Sequence, residues 1–188
     1  MDLSLYDALN DLAGQASWLD HLIKGVATYT PVIMAALLVA AWFWPGPGKD
    51  RAERERLVIY AVSAALIGLA LSQVIGHLWF RDRPYVSHPS TMLLTPSGDP
   101  SFPSDHAVGA FGLAMPFVFA RKRLGWLLLA LALLVSLARV AAGTHYPSDV
   151  LGGAMVGTVA AGIVWSARLW IEPLIAPCLL LARRLRLA

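Results

Sequence analysis

The chain has 188 residues and a formal net charge of +3; 57% of its residues are hydrophobic and only 14% are charged. Soluble domains are roughly 45–50% apolar and about 25% charged, and the mean hydropathy here is +0.61, so a soluble fold would leave much apolar surface in water. Intrinsic disorder is excluded as well, because it requires low hydrophobicity and high charge. The single cysteine, Cys178, cannot form an intrachain disulfide. The composition therefore indicates an integral membrane protein.

Stretches without Asp, Glu, Lys or Arg divide the chain into apolar segments at 25–48, 57–80, 107–120, 124–138 and 150–167. A transmembrane helix needs about 20 predominantly apolar residues, with about 17 as the lower end. The two shorter segments reach this length only if a few polar residues at their outer ends are included. We therefore predict an all-α fold, an integral membrane helix bundle in a single domain over 1–188, with about five transmembrane helices. The predicted spans are 28–45, 57–79, 105–121, 124–142 and 149–168, within a bundle covering 28–171.

The two ends of the chain are predicted to lie at the membrane surface. Leu5, Leu9 and Leu12 begin a series of apolar residues at helical spacing within 1–27, which favours an interfacial amphipathic helix. An ordinary helix packed against the bundle is the open alternative. The acidic residues of this segment are atypical of a cleavable signal peptide, which starts with positive charge. Residues 172–188 mix leucine with arginine and two prolines, which predicts an interfacial tail on the cytoplasmic side.

Lysine and arginine are distributed unevenly between the two sides of this five-span arrangement. Eleven of the 15 fall on one side, namely Lys49, Arg51, Arg54, Arg56, Arg121, Lys122, Arg123, Arg168, Arg183, Arg184 and Arg186. The other four are Lys24, Arg81, Arg83 and Arg139. Short cytoplasmic loops are enriched in lysine and arginine. We therefore expect the amino terminus outside and the carboxyl terminus in the cytoplasm.

Polar residues gather on the predicted outer side in three stretches, 77–85, 101–106 and 139–149. Ionisable residues near membrane depth are costly and are candidates for function. Ser104 or Asp105 would cap the helix that begins the third span, and a helix amino terminus attracts anions, so His106 would lie beside a bound anion. Arginine is suited to bidentate phosphate binding. Two arginines, two histidines, a carboxylate and helix amino termini together predict a phosphoryl-transfer site.

Each of these residues has a simpler explanation when taken alone. Arg83 or Arg139 can extend to the lipid head groups, and an aspartate such as Asp149 is more often a plain helix cap. His77 and His88 are more often loop or interface residues. A zinc site is not supported, because the sequence has neither a His-x-x-x-His pair nor a cysteine ligand set. The coincidence of three stretches on one face favours the phosphoryl-transfer interpretation.

Three motifs occupy these stretches: Arg83-Pro84, then Pro103-Ser104-Asp105-His106, then Arg139-x5-His145-x3-Asp149. They resemble the motifs of the type 2 phosphatidic acid phosphatase (PAP2) superfamily, which read Lys-x6-Arg-Pro, Pro-Ser-Gly-His and Ser-Arg-x5-His-x3-Asp. The third motif is specific, because its fixed spacing is unlikely to arise by chance, whereas an Arg-Pro pair alone is weak.

The chain departs from the family pattern at three positions. Gly76 stands in place of the lysine of the first motif, Ala138 in place of the serine of the third, and Asp105 in place of the glycine of the second. The Phe-Pro-Ser-Asp-His sequence at 102–106 and the Arg-Asp-Arg-Pro-Tyr sequence at 81–85 resemble the undecaprenyl pyrophosphate phosphatase branch associated with bacitracin resistance. Arg81 or His77 would be the candidates to supply the charge of the missing lysine.

The resemblance implies a phosphatase that uses no metal or other cofactor and no nucleic acid. By this resemblance, His145 would be the nucleophile and form a phosphohistidine, Asp149 would orient its ring, and His106 would protonate the leaving oxygen. The implied phosphate-binding set is Arg83, Ser104 and Arg139, with Asp105, Arg81 and His77 as further candidates.

The function implied by the resemblance is hydrolysis of a polyprenyl diphosphate at the outer face of the bacterial inner membrane. Inorganic phosphate and the lipid monophosphate would be released, and the carrier lipid would return to cell-wall synthesis. A first alternative keeps the chemistry but changes the lipid to phosphatidic acid, phosphatidylglycerol phosphate or another lipid phosphate. A second alternative is a non-enzymatic lipid carrier or flippase, which is disfavoured because it needs a site reachable from both faces.

Overall fold

A computed structural model describes residues 2–45 and 48–184 of the chain, and within these ranges all regular structure is helical. The helices are α1 (Asp2–Asn10), α2 (Ser17–Phe43), α3 (Gly48–Leu78), α4 (Pro84–Ser87), α5 (Asp105–Phe119), α6 (Arg123–Ala141) and α7 (Pro147–Arg184). The predicted all-α membrane bundle is confirmed.

Four of the described helices are long and apolar enough to cross a membrane: α2, α3, α6 and Pro147–Leu181 of α7. The third predicted span is α5, which is apolar but has only 15 residues, or about 22 Å at a rise of 1.5 Å per residue. It is the central helix and packs against α3, α6 and α7. Its neighbours cover it, and its buried residues include Val108, Ala114 and Phe117.

Glycines allow the helices around α5 to approach backbone to backbone. A Cβ placed on Gly112 of α5 would lie 2.8 Å from Cα of Ala65 in α3, and one on Gly153 of α7 would lie 2.6 Å from the carbonyl oxygen of Ser104. Small residues at such contacts are typical of helices packed within membranes, where close approach gives van der Waals contact. This packing fixes the amino terminus of α5 against α3 and α7.

The described structure differs from the predicted boundaries at the amino-terminal end. Of residues 2–27, only 2–10 form a separate helix, α1, because residues 17–27 form the amino-terminal end of α2 instead of an interfacial segment. Ile23 is buried against Ala141 and Ala142 at the end of α6. The side chain of Asp20, in the first turn of α2, is bonded to the turn that precedes this helix: its Oδ1 accepts a hydrogen bond from Gly14 N at 2.8 Å. Charged residues such as Asp20 and Lys24 therefore do not show where the helix begins, because α2 starts before them.

Helices α3 and α7 also extend beyond the predicted spans, at their ends away from the three polar stretches. Helix α3 begins at Gly48, nine residues before the predicted start at 57, and an Arg51–Glu55 ion pair of 2.9 Å supports this extension at i,i+4 spacing. Helix α7 continues through Pro173 and Pro177 to Arg184, where we predicted an interfacial tail over 172–188. Residues 185–188 of that tail lie outside the described residues.

Candidate active site

The three polar stretches meet where α5 and α7 begin side by side. The backbone N–H of Ser104, at the start of α5, donates to the carbonyl oxygen of Asp149 in the first turn of α7 at 3.0 Å. The turn between α6 and α7 brings His145 to this point, and Gly143 adopts φ +80° there. That conformation favours glycine over other residues. The two predicted helix starts, at Asp105 and Pro147, are thus both present and adjacent.

His145 is buried, and its ring is held in one orientation. Its Nδ1 lies 2.9 Å from the backbone carbonyl oxygen of Ser101. Since a carbonyl oxygen can only accept, Nδ1 carries the proton and Nε2 keeps its lone pair when the ring is neutral. Nε2 lies 3.4 Å from Nη1 of Arg83. The unprotonated ring nitrogen is therefore directed toward a cation that can hold an anionic ligand.

Asp149 is fully buried and has several hydrogen-bond donors. Its Oδ1 accepts from Nη1 of Arg81 at 2.6 Å, and its Oδ2 accepts from the hydroxyl of Ser101 at 2.5 Å and from the backbone N–H of Tyr146 at 2.8 Å. The Tyr146 contact makes it a helix cap of α7, so the simpler explanation considered for this residue also holds. Its Oδ2 lies 3.8 Å from Nδ1 of His145, which is too long for a hydrogen bond.

Ser101 therefore links Asp149 to His145, with its hydroxyl on the carboxylate and its carbonyl on the ring. Ser101 was not among the predicted site residues. Only its position two residues before the second motif could have drawn attention to it. A backbone carbonyl has no sequence signal, so this part of the contact was not predictable.

Burial lowers the pKa of His145, and the nearby guanidinium groups of Arg83 and Arg139 lower it further, whereas Asp149 opposes the shift. An imidazole with a lowered pKa is neutral at neutral pH. The ring therefore presents an available lone pair on Nε2 under ordinary conditions.

The cationic groups around His145 converge on one small region. Arg83 is 7% exposed, and its Nη1 donates to the carbonyl oxygen of Thr144 at 3.2 Å while its Nε donates to that of Asp99 at 3.1 Å. The ring of His106 lies within electrostatic range of Arg139, His145 and Arg83. These four predicted site residues are brought together.

Two buried donors in this region have no hydrogen-bond partner among the described residues: the hydroxyl of Ser104 and Nε of Arg139. Ser104 occupies the cap position of α5, but its side chain does not form the predicted cap bond. Buried polar groups are nearly always paired, so a hydroxyl and a guanidinium N–H left free beside His106 suit a bound oxyanion.

Arg81, Asp105 and His77 have hydrogen-bond partners of their own. The guanidinium of Arg81 binds Asp149 and also Asp2, at 2.9 Å, and lies over the ring of Tyr146 at 4.1 Å. Asp105 accepts hydrogen bonds from Ser72 and Gln73 of α3. The exposed His77 ring is hydrogen-bonded through Nδ1 to the Gln73 carbonyl at 2.7 Å. None of these contacts is made to Ser104 or to Arg139.

Gly76, which stands in place of the family lysine, has a packing role. A Cβ at this position would lie 3.2 Å from Cγ of Pro100 and 3.5 Å from the carbonyl oxygen of Phe102. The glycine thus lets the segment that leads into the second motif lie directly on α3. A lysine here would require Pro100 to shift by a few tenths of an ångström.

An apolar groove opens beside His106 between α2, α3 and α5. Its cavity has a volume of about 250 Å³ and is lined by Pro31, Met34, Leu69, Asp105, His106, Gly109, Ala110 and Leu113. A second apolar cavity of about 370 Å³ shares Leu113 and extends toward Trp42 and Phe43 at the carboxyl end of α2. The polar site therefore borders an apolar path along the helices.

Among the described residues, no three His, Cys, Asp or Glu side chains gather in a way that could hold a metal ion.

Comparison with known proteins identifies the family of the chain. Residues 56–172, more than half of the chain, match the model of the PAP2 superfamily. The chain belongs to the PAP2 superfamily. The predicted family, and with it a phosphatase of PAP2 type, is confirmed.

Two relatives align with most of the chain. The undecaprenyl-diphosphatase BcrC of Bacillus subtilis is 31% identical over 159 residues, covering 85% of this chain and 80% of its own. The putative undecaprenyl-diphosphatase YbjG of Escherichia coli is 33% identical over 171 residues, covering 89% of this chain and 84% of its own.

Solved structures show the same fold. The crystal structure of Aquifex aeolicus LpxE superposes with a TM-score of 0.73 at 23% identity, covering 88% of this chain and 94% of LpxE. A PAP2-type phosphatidylglycerolphosphate phosphatase from Bacillus subtilis has a TM-score of 0.58 at 20% identity, covering 90% of this chain and 87% of its own. The chain is a multi-pass membrane protein with the helix arrangement of PAP2 phosphatases.

Proposed function

We propose that this PAP2 phosphatase hydrolyses a polyprenyl diphosphate, of the undecaprenyl class, to the monophosphate and inorganic phosphate through a phosphohistidine on His145. The observation that carries the proposal is the ring of His145, with Nδ1 held by Ser101 and the lone pair of Nε2 toward Arg83. The buried free donors of Ser104 and Arg139 lie in the same region. The relatives named undecaprenyl-diphosphatase support the substrate class.

In the first step, Nε2 of His145 attacks the terminal phosphorus. A P–N bond forms as the bond to the bridging oxygen breaks, and the electron pair goes to that oxygen, which receives a proton from His106. Phosphoryl transfer depends mainly on positioning and on stabilisation of charge on the equatorial oxygens. Arg83, Arg139 and Ser104 supply the donors for those oxygens.

In the second step, a water oxygen attacks the phosphorus of the phosphohistidine. The P–N bond breaks, its electron pair returns to Nε2, and the proton from water goes to His106, which is then ready for another cycle. Asp149, 3.8 Å from Nδ1, stabilises the positive charge that the phosphorylated ring carries.

The apolar groove beside His106 supports a lipid as the leaving group. Because His106 donates its proton to the leaving oxygen, the rest of the substrate lies on the side of His106. That side opens into the groove lined by Met34, Leu69 and Leu113. A polyprenyl chain can stay in this apolar path while its head group reaches the polar site.

We further infer that the site lies at the outer face of the bacterial inner membrane. The distribution of lysine and arginine supports this orientation, because the loops opposite the site carry most of them. The carboxyl terminus would then be cytoplasmic, and the product monophosphate would return to cell-wall synthesis.

The test is phosphate release by the purified protein in detergent, with undecaprenyl diphosphate and phosphatidic acid compared in excess EDTA. We expect release from the diphosphate to survive EDTA, and His145→Ala to lower it on the order of a thousandfold or more, as loss of a nucleophile does. His21→Ala is the matched control, because His21 is exposed at the start of α2, far along the chain from the motifs.

Three results would contradict parts of the proposal. Faster release from phosphatidic acid would move the substrate class and keep the chemistry. Near wild-type activity of a folded His145→Ala protein would refute the nucleophile. No release from either lipid by a folded protein would refute the phosphatase function and turn attention to lipid transport.

A further inference from the structure

We propose that the amino-terminal helix α1 contributes a positioning residue to this active site: Asp2, which acts on Asp149 through Arg81 and Ser148. The inference rests on the proposed function, because it assumes that Asp149 supports His145 as the nucleophile.

Arg81 connects two carboxylates from distant parts of the chain. Its Nη1 donates to Oδ1 of Asp149 at 2.6 Å, and its Nη2 donates to Oδ2 of Asp2 at 2.9 Å. The side chain of Asp149 is fully buried, whereas those of Arg81 and Asp2 are 31% and 33% exposed. Asp2 thus holds the outer end of the arginine that neutralises a buried carboxylate.

Ser148 gives Asp2 a second attachment to the same place. The Ser148 hydroxyl donates to Oδ2 of Asp2 at 2.5 Å, and its backbone N–H donates to Oδ1 at 3.0 Å. Nη1 of Arg81 in turn donates to the Ser148 hydroxyl at 2.6 Å. A carboxylate on the free N–H groups of the first turn also interacts favourably with the helix dipole of α7, the helix that carries Asp149.

The charges of this group explain why Asp2 matters for chemistry. A buried carboxylate is stabilised only when it is paired and hydrogen-bonded, and a single arginine on Asp149 cancels its charge. With Asp2 as the second anion, the group of three carries a net negative charge close to His145. That charge favours the positive ring formed when Nε2 is phosphorylated.

Asp2 is ionised at neutral pH. Burial tends to raise the pKa of its carboxyl, but the hydrogen bonds from Ser148 and Arg81 outweigh this, and the pKa is lowered overall.

The position of α1 is set by contacts that do not involve Asp2. Tyr6 is fully buried, and its hydroxyl donates to Ser90 Oγ at 2.6 Å. The Asn10 side chain donates to the carbonyl oxygens of Thr91 and Ala141 at 2.9 Å and accepts from Thr91 N at 2.8 Å. Loss of the Asp2 charge should therefore leave α1 docked, and its effect on catalysis can be separated from docking.

The test compares Asp2→Asn with Asp7→Asn in protein carrying its affinity tag at the carboxyl terminus. Asp7 is on the same helix as Asp2, and its Oδ1 is hydrogen-bonded to Nε2 of His88 at 2.8 Å, so its variant weakens docking without touching Arg81. We expect Asp2→Asn to lower kcat about tenfold, corresponding to ~1.4 kcal/mol, with little change in KM for undecaprenyl diphosphate. Asp7→Asn should retain wild-type kcat, and Asp2→Glu should recover part of the loss.

The outcomes separate this inference from the proposed function. Wild-type kcat in Asp2→Asn, or an equal loss in Asp7→Asn, overturns the role of Asp2 while phosphate release by the wild-type protein and its loss in His145→Ala still stand. A rise in KM without a change in kcat also overturns it, because Asp2 would then act on binding. If His145→Ala remains active, both proposals fall. The melting temperature in detergent checks that each variant is folded.

Discussion

Replacement of Ser101 by alanine isolates the link between Asp149 and His145. The change removes the hydroxyl that donates to Oδ2 of Asp149 at 2.5 Å, but it leaves the backbone carbonyl that holds Nδ1 of His145 at 2.9 Å. Both Ser101 and Asp149 are fully buried, so water cannot replace the lost donor without a rearrangement. Asp149 keeps its bonds from Arg81 and from the Tyr146 backbone.

A hydrogen bond to a charged group contributes about 1.5–3 kcal/mol, so we expect a loss of stability of that order. Only the fraction of this free energy that comes from misplacing Asp149 relative to the His145 ring affects kcat. We expect kcat to fall about tenfold, corresponding to ~1.4 kcal/mol. Steady-state phosphate release and thermal unfolding in detergent measure the two effects. Ser97→Ala, at an exposed position of the same loop, is the matched control.

The double variant Ser101→Ala/Asp149→Asn makes this prediction sharper. If the hydroxyl acts only by placing the carboxylate, the two losses in kcat should not add, because either change removes the same contribution. Wild-type kcat in Ser101→Ala would show that the carbonyl alone orients the ring. Strictly additive losses in the double variant would show that the hydroxyl acts independently of Asp149. Either result would refute the linking role of the Ser101 side chain.

Three further predictions follow from the site. Arg139→Ala should lower kcat/KM on the order of 10²–10³-fold, as loss of an oxyanion donor does. Arg139→Lys should recover little of this activity, because lysine lacks the planar guanidinium group. Full recovery of kcat/KM by lysine would count against a directional contact. The acid limb of the pH profile of kcat/KM should lie below the ordinary histidine pKa of about 6.5, because His145 must be neutral to attack and its pKa is lowered by burial and by Arg83 and Arg139. Asp149→Asn removes the negative charge that opposes this shift and should move the acid limb to still lower pH. A shift of the limb to higher pH in this variant would contradict the electrostatic explanation. Leu113→Trp narrows the groove beside His106 and should therefore raise KM for undecaprenyl diphosphate more than KM for a short-chain polyprenyl diphosphate. The control Leu133→Trp, at a 52% exposed position of α6, should change neither KM.

The parts of the site that are local in sequence were predictable. Arg139 near the end of α6, His145 in the following turn and Asp149 in the first turn of α7 lie within eleven residues. A short connection between two antiparallel helices keeps such residues together whatever the rest of the fold does. The start of α5 was equally readable, since Pro103 and Ser104 precede an apolar run.

Contacts between distant segments were not predictable from one sequence. Asp2 and Ser148 are separated by 146 positions, and Asp2 and Arg81 by 79, and nothing in the local pattern of α1 indicates which partner its acidic residues meet. The boundary of α2 was missed for a related reason. The predicted span begins after Asp20 and Lys24 because its apolar segment was bounded by charged residues, but both residues belong to α2, whose Ile23 is buried.

Gly76 shows how a departure from a family motif can mislead. The missing lysine suggested a lost charge that Arg81 or His77 would replace, yet Arg81 binds Asp149 and Asp2 and Gly76 serves the packing of Pro100 on α3. On the proposed mechanism, Arg83 and Arg139 are then the cations left to the phosphate. The leaving group of a diphosphate is a phosphate, whereas that of a simple phosphate ester is an alkoxide. The leaving oxygen of a diphosphate is therefore less basic and needs less stabilisation from the site. This difference in the leaving group is one reason for proposing a diphosphate and not phosphatidic acid as the substrate.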